Sequence, residues 1–139
     1  MIVFVDSDVV ISSLISVSGA SYLLIQSQGI KLFISNVSLE ELQRVVNKLR
    51  ISQKELDVLV RRRLKIVKLE ETIVEIKDKY KEYVNDINDA HIVAGAEESH
   101  ARFLVSYNIK DFKVNKIKND FNIIVTTPGK LLQYLRSLQ

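Results

Sequence analysis

Ile2-Val-Phe-Val-Asp-Ser-Asp8 sets four consecutive apolar residues against a pair of acids. A short continuous apolar run is the pattern of a strand covered on both faces, which is how strands lie inside a parallel sheet. Helical patterning follows from Val9 to about Ile15 and from Ala20 to Gln28, with Gly19 and Gly29 as punctuation. Lys31-Leu-Phe-Ile34 reads as a second strand. Ser38-Leu-Glu-Glu41 has the spacing of a capping box and is expected to open a helix through Leu42, Val45, Val46 and Leu49. Ser52-Gln-Lys-Glu55 repeats that spacing ahead of Leu56, Leu59, Val60 and Leu64.

Further on, Ile66-Val67 is a candidate short strand, Glu71 to Tyr83 a charged amphipathic helix and Asn88 to about Ser99 a small-residue helix. In that last helix Gly95 is expected to permit close packing. Phe103-Leu-Val-Ser106 and Asn122-Ile-Ile-Val125 have strand character, and Thr127 caps a final helix with Pro128 at its first position. Strands alternating with helices imply an α/β fold: a three-layer α/β/α sandwich around a central parallel sheet of four to five short strands. The chain of 139 residues suits one domain, 1–139, with a substantial core. In such sheets ligands sit beyond the carboxyl ends of the strands.

The composition narrows the chemistry. Apolar content of 47% with 27% charged residues is globular. No stretch approaches the roughly 18 uninterrupted apolar residues that a membrane span needs. No basic stretch precedes Ile2, and Asp6 and Asp8 interrupt the apolar run, so a buried strand of a cytoplasmic protein is expected there rather than a secretion signal. The absence of cysteine excludes thiolate metal sites and leaves oxygen or imidazole donors. Net charge is only +3, but nine basic residues against Glu55 and Asp57 give a local balance of +7 from Arg44 to Lys68. That segment suits a polyanion, although a solvated helix face has the same pattern.

Acids gather in four places: Asp6 and Asp8, Glu40 and Glu41, Asp86 and Asp89, then Asn108 with Asp111. Each has an ordinary explanation. Asp6 and Asp86 or Asp89 can cap helices, Glu41 falls at the third position of a capping box, and Asn108 and Asp111 suit a turn. Together they make a different case. Two unit charges ~4 Å apart repel by about 4 kcal/mol at an effective dielectric of ~20, so clustered carboxylates need a compensating cation. Oxygen donors select a hard divalent ion, Mg²⁺ or Mn²⁺. His91 lies two positions past Asp89, about 200° round a helix, and is expected to point elsewhere. Tyrosines are scattered and form no stacking platform.

These segments resemble the PIN domain family, and within it free-standing VapC-like toxin ribonucleases, over nearly the whole chain. Val5-Asp-Ser-Asp-Val9 resembles the family's opening segment, and Ile34-Ser with Leu39-Glu-Glu-Leu42 its second strand and glutamate helix. Asp86-Ile-Asn-Asp-Ala-His-Ile-Val-Ala-Gly-Ala96 is the most specific match. Leu104-Val-Ser-Tyr-Asn-Ile-Lys-Asp-Phe112 and Val125-Thr-Thr-Pro-Gly129 resemble the two closing segments. The resemblance implies a Mg²⁺- or Mn²⁺-dependent endoribonuclease with metal-binding acids at Asp6, Glu41 and Asp89. The fourth position falls on Asn108, where many members have aspartate, and Asp111 could supply that carboxylate. Asp8, Asp86 and Ser106 are implied as supporting residues. Homodimerisation and a small antitoxin partner are implied as well. A catalytically weak PIN domain that binds RNA or protein is the alternative, since Asn108 dilutes the acidic cluster. A phosphorelay receiver needs acids at other spacings.

Overall fold

Alternation along the strands divides the interior in two. In the computed structural model, which describes residues 1–139, β1 (Ile2–Val5), β2 (Lys31–Ser35), β3 (Leu64–Val67), β4 (Phe103–Val105) and β5 (Ile124–Thr126) form one sheet. Its order is β3-β2-β1-β4-β5 and every pairing is parallel. Val3, Val5, Leu32, Ile34, Phe103 and Val105 point to one face, and Phe4, Leu104 and Val125 to the other, as the two-residue period of a strand requires.

Five helices cover the first face: α1 (Ser7–Ile15), α2 (Ala20–Ile25), α3 (Asn36–Lys48), α4 (Gln53–Arg63) and α8 (Pro128–Ser137). The second face is covered by α5 (Ile73–Tyr80), α6 (Ala90–Glu98) and α7 (Val114–Phe121). This is the three-layer sandwich expected from the sequence. Each layer buries its own cluster, Val9, Leu24, Leu42, Val46, Leu56 and Leu131 on one side, Ile76, Ile92, Val93, Ala96 and Ile117 on the other. No helix is long and apolar enough to cross a membrane.

Several boundaries differ from the sequence reading. Helix α3 begins two residues before Ser38, because Ser35 at the end of β2 is the cap: its Oγ accepts from the Ser38 amide at 3.0 Å. Ser38 is then buried inside the first turn, and Glu41 lies beyond the capping positions. Helix α4 passes into β3 without a loop, so Leu64 starts a strand instead of ending a helix. The helix expected over 71–83 is α5 plus a 3₁₀ turn, Lys81–Tyr83, and its start is fixed by a reciprocal box between Thr72 and Glu75. The helix expected from Asn88 has a 3₁₀ entry, Ile87–Asp89, ahead of α6. Helix α7 had no sequence expectation; Val114, Ile117 and Phe121 pack its apolar face, and Asn122 ends it in the left-handed region that asparagine tolerates.

Strand order reverses between β1 and β4, with one half of the sheet wound each way from β1. Side chains leaving the carboxyl ends of these neighbours meet at the crevice where α/β sheets bind ligands.

Candidate active site at the sheet switch point

Asp6 leaves β1 with its amide bonded to the Val105 carbonyl of β4, so it stands over the switch point. One carboxylate oxygen, Oδ1, accepts from the Ser7 amide at 2.7 Å as the cap of α1. The other, Oδ2, accepts from the Ser106 hydroxyl at 2.8 Å. Capping and site-facing readings of Asp6 therefore hold together. Ser106 is fully buried at the end of β4 and its Oγ also accepts from the Asn108 amide at 3.0 Å. That hydroxyl locks the loop after β4 to the acid after β1.

Asp8 extends the same lock. Its Oδ2 accepts from the Tyr107 amide at 3.1 Å and from Nδ2 of Asn108 at 3.2 Å, while Oδ1 is buried without a partner. Asn108 thus contributes an amide donor that holds Asp8. Asp111 ends the 3₁₀ turn Ile109–Asp111. The stretches around Asp86 and Asp111 are stitched together by backbone: Val84 bridges Phe112, the Asn85 amide donates to the Asp111 carbonyl at 2.8 Å, and that of Lys113 to Tyr83 at 2.9 Å. Asp86 caps the 3₁₀ turn before α6 by accepting from the Asn88 amide. Asp89, at the cap of α6, makes no capping bond with its side chain.

An open cavity of about 550 Å³ gathers Asp6, Asp8, Glu41, Asp89 and Asn108, with Ser7, Ser12 and Val45 among its other walls. Glu41 and Val45 reach it one turn apart on α3, whereas Glu40 is exposed elsewhere. Asp86, Asp111 and Ser106 do not line it. A second cavity of about 600 Å³, between α1, α2 and α4, has no cluster of acids.

The charges in the first cavity are poorly compensated. Burial, then the neighbouring Asp8 charge, pushes Asp6 up to about 7 despite its two hydrogen bonds. Burial followed by Asp111 and Asp86 pushes Asp89 to about 6. Asp8 is also raised by burial. Glu41 alone moves down, because Nε2 of His91 lies 3.4 Å from its Oε2, with Arg44 adding a favourable charge. No three of the acids converge on one point. Their chemistry nonetheless fits a hard cation: several carboxylates on separate elements, one with an unpartnered buried oxygen.

His91 does not line the cavity, as its place two positions past Asp89 led us to expect, but its approach to Glu41 was not foreseen. Asp89 ends the 3₁₀ entry and α6 begins at Ala90, so His91 lies in the first turn of α6. Ring and carboxylate meet because α6 approaches α3, which helical arithmetic within one element cannot reveal.

A family profile described as PIN domain matches residues 2–110. No curated protein matches the chain. Among solved structures, the chain is similar to one in the crystal structure of VapBC2 from Rickettsia felis bound to a DNA fragment from their promoter. There it is 24% identical, covering 91% of this chain and 98% of that one, with a TM-score of 0.63. It is also similar to a chain of a toxin-antitoxin complex from Klebsiella pneumoniae, at 20% identity, 91% and 97% coverage and a TM-score of 0.67. With a profile match spanning β1 to the loop after β4, over a sheet whose end carries these acids, this chain belongs to the PIN domain family.

Proposed function

We propose that this protein is a cytoplasmic, metal-dependent endoribonuclease, the toxin of a toxin–antitoxin pair. The observation that carries the reading is the convergence of Asp6, Asp8, Glu41 and Asp89, from three separate parts of the chain, on one cavity at the switch point. Membership of the PIN family supports it, and so does the likeness to chains from toxin–antitoxin complexes.

Asp6, Glu41 and Asp89 would hold Mg²⁺ or Mn²⁺, with Asp111 close enough to reinforce Asp89 electrostatically. A divalent ion there supplies Lewis acidity, neutralising phosphate charge and acidifying water. The protein's own groups prepare that site. Ser106 fixes the orientation of Asp6, Asn108 and the Tyr107 amide fix Asp8, and His91 contacts Glu41. Arg44, one turn beyond Glu41 on α3, offers positive charge to the RNA backbone. Water adds to phosphorus as the bond to the 3′ oxygen breaks, leaving a 5′-phosphate and a 3′-hydroxyl. The protein acts as a homodimer restrained by a small antitoxin.

The test is cleavage of a fluorescent RNA under Mn²⁺ titration. Wild-type protein is expected to cut with Mn²⁺ or Mg²⁺ and to stop with EDTA. Asp6→Asn and Asp89→Asn are expected to lower the rate about a hundredfold or more with the fold retained. Undiminished, metal-independent cleavage by either variant would falsify the assigned site.

One observation favours a second reading, an RNA- or protein-binding module with weak catalysis. The fourth segment sends an amide, Asn108, into the cavity where the other three send carboxylates. Tight RNA binding without Mn²⁺-dependent cleavage in the same titration would select it.

A further inference from the structure

Helix α6 buries its sequence almost without interruption: Ala90, Ile92, Val93, Ala94, Gly95 and Ala96 are all enclosed. His91 is the one polar side chain in that buried run, and it is 8% exposed. Its Nδ1 is buried with no partner. Burying a polar atom unpaired costs free energy, so an aliphatic residue would serve packing better at this position. The other nitrogen accounts for the imidazole. Nε2 stands 3.4 Å from Oε2 of Glu41, across the gap between α6 and α3. No lysine or arginine nitrogen comes within 4 Å of a Glu41 carboxylate oxygen. The Ser7 hydroxyl lies in the same cavity and adds a smaller pull that lowers the Glu41 carboxyl.

We propose that His91 is a positioning residue that clamps the Glu41 carboxylate in the orientation needed to receive a divalent cation. This rests on the nuclease reading above. Glu41 reaches the cavity from α3, a layer away from the strand ends that carry Asp6 and Ser106, and is half-exposed. Without a partner its side chain would lose rotamer freedom on binding the ion, and that loss would weaken binding. A donor fixed in the wall of α6 removes part of that cost before the ion arrives. Groups that orient a ligand's carboxylate in this way typically contribute 10- to 100-fold in metal affinity.

The experiment measures Mn²⁺ binding to the RNA-free protein by calorimetry, alongside kcat and KM for RNA, in wild type, His91→Leu and His91→Gln. Circular dichroism and thermal midpoints establish that each is folded. If His91→Leu does not fold, His91→Met replaces it, being apolar and more adaptable. The expected result is Mn²⁺ affinity lowered about 10- to 100-fold in His91→Leu, with kcat reduced at limiting Mn²⁺ and KM for RNA little changed. His91→Gln, whose amide can donate from a similar place, is expected to recover most of the loss. A folded His91→Leu that binds Mn²⁺ as wild type does overturns the inference. So does an equal loss in His91→Leu and His91→Gln, which would make ring volume the cause. A wild type that neither binds Mn²⁺ nor cuts RNA overturns the nuclease reading, and the clamp with it.

Discussion

At the scale of single residues, the site is a set of carboxylates held in place by neutral donors. Ser106 shows how tightly: one hydroxyl donates to Asp6 and accepts from the Asn108 amide. Neutral donors orient the acids but do not cancel their charge, so Asp6 rises to about 7 and Asp89 to about 6. The consequence for stability has a definite sign. Between pH ~4, where these acids ionise in an unfolded chain, and pH ~7, the folded protein retains protons that the unfolded chain has released. The contribution of these two acids to metal-free stability is therefore largest below that window and is lost as pH rises through the folded values. Thermal midpoints in EDTA are expected to fall from pH 5 to pH 8. Asp6→Asn is expected to flatten that fall, and a midpoint that rises over the interval would contradict the buried-acid account. On the proposed reading, metal binding would run the other way, strengthening as the protons leave.

At the scale of elements, caps and close contacts decide where side chains end up. The cap of α3 is Ser35, which moves Glu41 off the capping box and lets it face the cavity. Helix α6 crosses β1 so closely that a Cβ at Gly95 would lie 2.4 Å from the Phe4 ring. Phe4 is itself fully buried, so a shift of its ring must disturb its neighbours. Gly95→Ala gains helix propensity but must displace that ring, and overpacking of this kind costs about 1–3 kcal/mol. Urea denaturation is expected to show the loss as a lower midpoint; an unchanged or higher midpoint would mean the ring yields freely. Since α6 carries His91 and follows directly from Asp89, the same change is expected to weaken Mn²⁺ binding.

At the scale of the molecule, the fold divides a basic segment that is continuous in sequence. Arg44 lies a turn from Glu41 and its charge reaches that carboxylate. Arg61, Arg62 and Arg63 instead precede the start of β3, at the end of the sheet opposite the acids. Arg63 is spent on structure: its Nε and one terminal nitrogen each donate at 2.7 Å, to the carbonyls of Ile25 and Ser27 at the end of α2. Arg62 and Arg63 line the second cavity. On the proposed reading, RNA guidance would fall to Arg44 rather than to Arg61, Arg62 and Arg63. Arg44→Ala is expected to weaken RNA binding and to reduce its salt dependence by about 0.7 in log–log slope, the share of one phosphate contact on a single strand. Arg61→Ala is expected to leave both nearly unchanged. Fluorescence anisotropy across a salt series separates the two, and equal effects would restore the continuous basic surface.

The sequence by itself determined the layers and placed Asp6 at the carboxyl edge of the first strand. Short apolar runs at Ile2–Val5, Leu32–Ile34 and Phe103–Val105 have the pattern of strands covered on both sides, and an acid directly after such a strand, as Asp6 is, appears at the carboxyl edge. Patterning of this kind is local, and local rules read it. Tertiary structure decided what each acid does once there. Capping could not be read reliably because Ser35 and Ser38 both satisfy the local rule, and only the end of β2 selects the first. Helix α7 was not anticipated, since three apolar residues among charges identify a helix only once a face is available to bury them. Asn108 became a donor to Asp8, and His91 a neighbour of Glu41, through contacts spanning 100 and 50 positions of chain respectively. Directions of side chains across such distances depend on how whole elements pack, and no spacing within one segment encodes them.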